Sequence, residues 1–179
     1  MKTSLKFLFL LLLSFCFVAC SDTDDEEVTP TPTEEEEEGN EEGGEEESAA
    51  TIWEGATLTF SKSNGADPEA EANQDRLTDN VWITRGNDGG QIFNIRQESG
   101  ANKQSSPAGT LWAEGTLSQI NELTFEPFRA AVGNPQNVVG RNLVMYLEED
   151  DTYLSVRFTS WNSGNQNGGG FSYERSTPN

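Results

Sequence analysis

The segment that begins at Trp161 carries the residue types that proteins use to recognise sugars. Such recognition needs a flat apolar ring that stacks on a pyranose face, together with amide or hydroxyl groups that pair with the sugar hydroxyls. The alternative is that Trp161 belongs to the core and that the Asn- and Gly-rich residues after it form a plain turn. The candidate ligand-binding residues are Trp161, Asn162, Asn165, Asn167 and Tyr173.

A second group places oxygen ligands at every second residue, a pattern that suits the hard cation Ca²⁺. The EF-hand template does not apply, because Ala72 and Thr78 occupy the positions of its invariant Gly and its bidentate Glu. A structural calcium in a loop is therefore the one candidate cofactor. Its ligands would be Asp67, Glu69, Glu71 and Asp75.

The acidic run Glu148–Asp151 raises the question of glycoside hydrolysis. That reaction needs two carboxyl groups about 5 to 9 Å apart across a cleft, whereas neighbouring acids at a turn point several ways into water. The chain has no His, which excludes a Ser-His-Asp triad and any His-ligated metal. We predict that the protein is not an enzyme, with a carboxylate-dependent carbohydrate-active hydrolase as the alternative. The scattered arginines, among them Arg85, Arg96, Arg141 and Arg157, are predicted to form ion pairs on sheet faces.

These residues lie in a segment with the pattern of an all-β domain. From Thr51 onward, short runs rich in aromatic and β-branched residues alternate with Gly, Asn, Pro and Asp. We predict a single antiparallel β-sandwich, jelly-roll-like, over residues 51–179, with no long helix. The predicted strands are 52–60, 80–85, 91–97, 110–116, 122–125, 142–149, 152–161 and 170–175.

The clearest unit is a hairpin in which two apolar runs flank residues 148–152. In the second run Leu154, Val156 and Phe158 alternate with polar residues or Tyr, so one face should be buried. Leu58 and Phe60 are predicted to be buried by the same alternation.

Acidic residues are concentrated before this domain. The formal charge of the 179 residues is -20, and 15 of the 31 acids lie between Asp22 and Glu47. Residues 20–50 hold almost nothing apolar and are predicted to be a disordered tether spanning roughly 30 Å; weak capture of cations or of a basic partner is the alternative role. Because the chain lacks a clustered basic face, nucleic acid is not expected as a partner.

The N-terminus has the composition of an export signal. Lys2 and Lys6 precede an apolar run over residues 7–18 that is too short for a membrane span. The run ends in Phe17-Val18-Ala19-Cys20, which resembles the lipobox of bacterial lipoproteins. The resemblance implies that residues 1–19 are removed and that Cys20 is lipidated, with a simple secretory signal as the alternative. Cys20 would then be the only Cys left in the mature chain.

Two further resemblances concern the destination of the protein. The segment Ser21–Glu27 is similar to the acidic export signal of Bacteroidetes-type lipoproteins, which implies an outer-membrane anchor facing the cell exterior. The domain resembles a module of exported flavobacterial proteins that has no established activity. That second likeness rests on residues 64–68, 71–78, 80–86, 158–161 and 168–175, and it implies a secreted β-rich unit.

These observations predict a lipid-anchored surface protein with a non-catalytic module for binding or adhesion. The membrane is the expected partner through the lipid anchor, and an extracellular glycan is the expected ligand. A purely structural envelope lipoprotein that contacts another envelope protein is the further alternative.

Overall fold

The computed structural model describes residues 49–162 and 168–179. Cys20, the predicted leader and tether up to residue 48, and Asn165 and Asn167 lie outside these ranges. The described strands are β1 (Thr51–Trp53), β2 (Leu58–Lys62), β3 (Asp75–Arg76), β4 (Trp82–Arg85), β5 (Ile92–Asn94), β6 (Thr110–Glu114), β7 (Leu143–Leu147), β8 (Thr152–Trp161) and β9 (Phe171–Arg175). The helical elements are α1 (Phe128–Val132) and short 3-10 helices at Glu71–Asn73, Leu117–Glu122 and Pro135–Asn137.

The strands form two sheets. The larger has the order β2-β9-β8-β7-β6 with β1 beside β8, and the smaller has the order β3-β4-β5. All pairs are antiparallel except β1 and β8, which run parallel. The all-β prediction is confirmed, and a sandwich of two sheets is consistent with this arrangement.

One apolar core is shared by both sheets. Ile83 and Ile92 of the smaller sheet belong to the same buried cluster as Trp112, Leu143 and other residues of the larger sheet. Each such side chain contributes about 1.5–3 kcal/mol by leaving water. The common core therefore holds the two sheets together.

The predicted hairpin is confirmed, with β7 and β8 paired across residues 148–151. Leu154, Val156 and Phe158 are buried, whereas Arg157 and Thr159 between and after them are exposed. The alternation read from the sequence thus predicts which face of β8 is packed.

The predicted first strand is interrupted at Gly55. Its amide donates to the carbonyl oxygen of Thr177 at 2.9 Å, and a Cβ at Gly55 would lie 2.2 Å from the carbonyl oxygen of Pro178. Only glycine permits this approach, and the chain crosses here from β8, the partner of β1, to β9, the partner of β2.

The prediction for Leu58 and Phe60 is wrong in its burial. Leu58 is 38% exposed and Phe60 is half-buried, whereas Lys62 is buried. β2 lies at the edge of the larger sheet beside β9. An edge strand is covered less completely than a central one, so the apolar alternation there does not mark a fully packed face.

The strand predicted at residues 122–125 is also wrong. Leu117–Glu122 is a 3-10 helix that begins with a reciprocal capping box between Thr116 and Gln119. Only an isolated bridge between Trp112 and Glu126 extends the sheet near this point. Residues 123–125 after this helix have no regular secondary structure.

No helix among the described residues has the length and hydropathy needed to cross a bilayer.

Candidate functional site: a cleft beside Trp161

Trp161 ends β8 and is half-buried. Its ring centroid lies 5.6 Å from that of Phe158, 6.2 Å from Phe128 and 6.3 Å from Phe171. Part of the indole therefore packs on the core, in agreement with the alternative considered above. Trp161 also lines a cleft of about 240 Å³, so the residue belongs both to the core and to the wall of a cleft.

The rest of the cleft comes from four separate segments. Arg85 ends β4, Lys103 lies in the loop before β6, Arg129 belongs to α1, and Asn134 precedes the last 3-10 helix. The lining residues are Arg85, Gly89, Gly90, Lys103, Arg129, Asn134, Pro135, Gln136 and Trp161.

Arg85 is the most unusual of these residues, since its side chain is only 2% exposed. Its guanidinium carbon lies 4.0 Å from the centroid of the Trp161 ring, a cation–π contact. Its Nε donates to the carbonyl oxygen of Gly90 at 3.0 Å, and Nη1 donates to those of Asn162 and Gly170 at 2.8 and 3.1 Å. Burial lowers the pKa of Arg85 to about 10, which still leaves it charged at neutral pH.

Glycines hold those carbonyl groups in place. Gly169 has φ +64°, and a Cβ there would lie 1.9 Å from the carbonyl oxygen of Gly86, so no other residue fits. The Asn64 side-chain oxygen accepts from the Gly170 amide at 2.9 Å and from Asn162 Nδ2 at 2.6 Å. The side chain of Asn162, predicted to meet a ligand, is therefore engaged within the fold.

A second buried cation lies near Arg85. Lys62 is 2% exposed, and its Nζ donates to Asn87 Oδ1 at 2.8 Å. Burial lowers the pKa of Lys62 and the positive charge of Arg85 lowers it further, while the negative charge of Asp67 raises it in part, so the net direction is downward. Two cations thus lie close enough to repel each other beside the cleft.

Tyr173 does not form an outward aromatic surface with Trp161. It is fully buried on β9, which lies between β2 and β8. Its hydroxyl donates to Asp75 Oδ2 at 2.7 Å, and burial together with the Asp75 charge raises the pKa of Tyr173 well above its ordinary value. The prediction that Tyr173 contacts a ligand is corrected for this reason.

The four carboxylates predicted to bind calcium do not converge. Asp67 Oδ1 accepts from the Glu69 amide at 2.9 Å, Glu71 pairs with Arg76 at 3.0 Å, and Asp75 pairs with Arg175. Within residues 49–162 and 168–179, no cluster of three or more potential ligands could hold a metal ion. The calcium hypothesis has no supporting geometry there, because a local turn holds Asp67 and arginines hold Glu71 and Asp75.

The acidic turn Glu148–Asp151, which follows β7, makes structural hydrogen bonds. Asp150 accepts from Thr78 Oγ1 at 2.8 Å and from Asn80 Nδ2 at 3.1 Å. Asp151 accepts from the Tyr146 hydroxyl at 2.9 Å, a hydrogen bond that, with burial, raises the pKa of Tyr146 to about 12. Glu148 and Glu149 are exposed. The turn thus ties the hairpin to the loop before β4.

Sequence reasoning missed the cationic residues of the cleft. The predicted surface ion pair is present for Arg141 with Glu114, but Arg85 forms no salt bridge with any carboxylate in the described part of the chain. The local sequence does not mark Lys103 and Arg129 as residues of a binding site, because their neighbours in sequence resemble those of any exposed cation. The one sequence feature near these cations is the glycine-rich segment Gly86–Gly90, which follows Arg85 and supplies two glycines to the lining of the cleft.

A larger cleft of about 430 Å³ lies beside β7, β8 and β9, lined mainly by hydroxyl-bearing and charged residues such as Thr116, Ser155 and Glu174. No aromatic ring lines it. A sugar would find no stacking surface there, so the cleft beside Trp161 is the better candidate.

Comparison with known proteins finds no matching family model, no similar curated protein and no similar solved structure.

Proposed function

We propose that this chain is a lipid-anchored cell-surface protein whose β domain is a non-catalytic module that binds a glycan in the cleft beside Trp161. The observation that carries the proposal is the half-buried Trp161 ring in the wall of a cleft of about 240 Å³. Asn134 and Gln136, both exposed, stand in the same wall. An aromatic ring next to amide groups is the combination that sugar recognition needs.

A rigid ring is valuable here because it binds without losing conformational freedom. Trp161 is fixed by Phe128, Phe158 and Phe171 and by the Arg85 guanidinium. Preorganisation of this kind reduces the ordering cost of binding. A ligand can therefore gain affinity from modest contacts.

The composition of the cleft favours binding over hydrolysis. Its described lining residues include no Asp or Glu, whereas glycoside hydrolysis by carboxylates needs two of them across the scissile bond. The runner-up function, a carbohydrate-active hydrolase, is favoured by no such arrangement in the cleft.

The anchor belongs to the same proposal. Lipidation of Cys20 is supported by the lipobox-like segment and by the single Cys that would remain after cleavage. Several acyl chains at about 0.8 kcal/mol per buried methylene would hold the domain on the membrane. Intact-mass spectrometry of the native protein tests this: loss of residues 1–19 with an added lipid mass is expected, and a leader-bearing chain with a bare thiol would refute it.

The binding proposal is tested with a glycan array and three variants of the full chain. Trp161→Ala and Gln136→Ala are expected to weaken retention of the bound glycan by about tenfold, or about 1.4 kcal/mol. Trp82→Ala is the matched control, because Trp82 is another half-buried indole that contacts arginine guanidinium groups and lies outside the cleft.

Gln136→Ala keeps the test valid if loss of the Trp161 ring disturbs the core, because Gln136 is exposed. An array with no bound glycan, or equal binding by the Trp161, Gln136 and Trp82 variants, would overturn the proposal. Release of reducing ends from the bound polysaccharide would replace it with the hydrolase.

A further inference from the structure

We propose that the cleft beside Trp161 selects an acidic sugar, one that carries a carboxylate or sulfate group, which it holds through Arg85, Lys103 and Arg129. This inference rests on the proposed function and names the class of glycan that the site accepts.

Positive charge is concentrated at the cleft in a protein that is otherwise acidic. Residues 49–179 contain 16 acids and 9 bases, a balance of -7. Three of those nine bases nevertheless line one cleft of about 240 Å³, and none of its described lining residues is an acid. They come from β4, a loop and α1, which are far apart in sequence, so the fold itself brings them together.

The described salt bridges lie elsewhere. Arg76, Arg141 and Arg175 each pair with a carboxylate. None of the three cations of the cleft does so among residues 49–162 and 168–179. Their charge is therefore not neutralised by those residues, and an entering anion meets an attractive potential.

Arg85 makes that potential strong because it lies in a poorly solvated place. A buried charge that lacks a carboxylate partner is costly, and this one is offset only partly by three carbonyl oxygens and the indole face. An anionic ligand would stabilise the buried Arg85 charge as it binds. The cleft should therefore bind anions more tightly than neutral molecules.

The three cationic side chains differ in conformational freedom, and this difference suits the binding of an anion. Arg85 is fixed by its carbonyl partners and by Trp161, whereas Lys103 is exposed and Arg129 half-buried. Guanidinium groups match carboxylate and sulfate oxygens in pairs of parallel hydrogen bonds. The Gln136 amide and the Asn134 side-chain nitrogen then face the hydroxyls of the same sugar, while Trp161 contributes apolar contact. The Asn134 side-chain oxygen already accepts from the Gln136 backbone amide at 3.1 Å. A neutral sugar would use the ring and the amides but not the cations.

The test compares matched sugars that differ only in charge, with the full chain in detergent and calorimetry as the readout. One pair is tetragalacturonate and its fully methyl-esterified form. The other is a sulfated carrageenan tetrasaccharide and its desulfated form. We expect one or both charged members to bind at least about tenfold more tightly than their neutral partners, and the pair that responds identifies carboxylate or sulfate as the group.

Variants separate the cleft from general charge effects. Lys103→Gln with Arg129→Gln should weaken the preference for the charged sugar, because Arg85 is then the only one of the three cations left in the cleft. The control is Arg96→Gln with Arg157→Gln, which removes the same charge from two exposed arginines outside the cleft and should leave the preference intact.

The outcomes distinguish this inference from the proposed function. Equal binding of charged and neutral sugars, reduced by Trp161→Ala, would overturn the selectivity and leave glycan binding standing. A preference that the control pair of substitutions weakens as much as the cleft pair would also overturn it. If neither these sugars nor any glycan of the array binds, the proposed function fails and the inference fails with it.

Discussion

Two buried arginines in this domain have opposite surroundings. Arg175 is 7% exposed and Arg85 is 2% exposed. Arg175 holds both oxygens of Asp75, at 2.7 and 2.9 Å, whereas Arg85 holds carbonyl oxygens and the face of Trp161. The first charge is neutralised inside the protein. The second is held in position at the edge of a cleft, with no salt bridge to a carboxylate among the residues that the structure describes.

The difference separates a role in the fold from a role in binding. Arg175 on β9 and Asp75 on β3 join the larger sheet to the smaller one, with Tyr173 as a third member. The pKa of Arg175 is lowered by burial but raised more by the hydrogen bonds and charge of Asp75, so the net direction is upward. The pKa of Arg85 moves downward. A buried cation that lacks a carboxylate partner is thus the better marker of a site.

The largest expected effect comes from removing the carboxylate. Asp75→Asn should lower the free energy of unfolding by about 3–5 kcal/mol, because Arg175 would be left as an uncompensated buried charge. Denaturant unfolding followed by tryptophan fluorescence measures the loss. A loss below about 1 kcal/mol would show that the pair of Asp75 and Arg175 behaves like an exposed one. It would contradict the structural role given to Arg175.

A smaller loss is expected at the other arginine. Arg85→Met leaves the carbonyl groups of Gly90, Asn162 and Gly170 without this donor but strands no buried carboxylate. We expect a cost of no more than about 1–3 kcal/mol, because relief of the buried charge offsets part of the loss of these hydrogen bonds. The matched variant Arg175→Met leaves Asp75 uncompensated and should cost about 3–5 kcal/mol. Equal losses for the two Arg→Met variants would remove the distinction drawn here.

The Asp75 cluster also predicts alkaline sensitivity. The folded pKa of Tyr173 is raised by burial and by Asp75, so the folded state binds the phenol proton more tightly than the unfolded state does. Stability from this group is full below the ordinary pKa of about 10 and falls above it, by up to about 1.4 kcal/mol per pH unit. Denaturant unfolding between pH 8 and 11 should show a flatter curve for Tyr173→Phe, and superimposable slopes would contradict the assignment.

The smallest effect is expected at the exposed pair of Glu114 and Arg141. The hydrogen bond from Arg141 lowers the pKa of Glu114, so its contribution is present above the unfolded carboxyl pKa and disappears as the pH falls through the folded pKa. Because the Glu114 side chain is 55% exposed, solvent screening limits that contribution to under about 1 kcal/mol. Glu114→Gln tests this at neutral pH. If Glu114→Gln lowered the free energy of unfolding as much as Asp75→Asn does, the loss of the ion pair itself, rather than burial of the remaining charge, would determine the destabilisation.

Local patterns predicted the hairpin, because the alternation of Leu154, Val156 and Phe158 is a property of one strand and its neighbour. The sequence did not predict the partners of Asp75, since Tyr173 and Arg175 lie 98 and 100 residues away. Because of this pairing, Asp75, a candidate calcium ligand, and Tyr173, a candidate ligand-binding residue, are both buried in the core. No local signal distinguishes such a residue from an exposed one.

The site was predicted in part for the same reason. Trp161 was identified because ring and amide types recur near it in sequence. The cations were not, because Arg85, Lys103 and Arg129 meet only after β4, a loop and α1 pack around β8. A charge cluster formed by tertiary packing leaves no spacing pattern in the chain.

The most direct measurement is a side-chain ¹⁵N NMR titration of the full chain with tetragalacturonate and the sulfated carrageenan tetrasaccharide. The four indoles of Trp53, Trp82, Trp112 and Trp161 and the Nε–H groups of Arg85 and Arg175 report separate places in the fold. We expect the signals of Trp161 and Arg85 to shift with the sugar that binds. The signals of Arg175 and of Trp53, which lies 5.9 Å from the Arg175 guanidinium, should stay fixed. Saturation with no shift at Trp161 or Arg85, or equal shifts at Arg175, would contradict it.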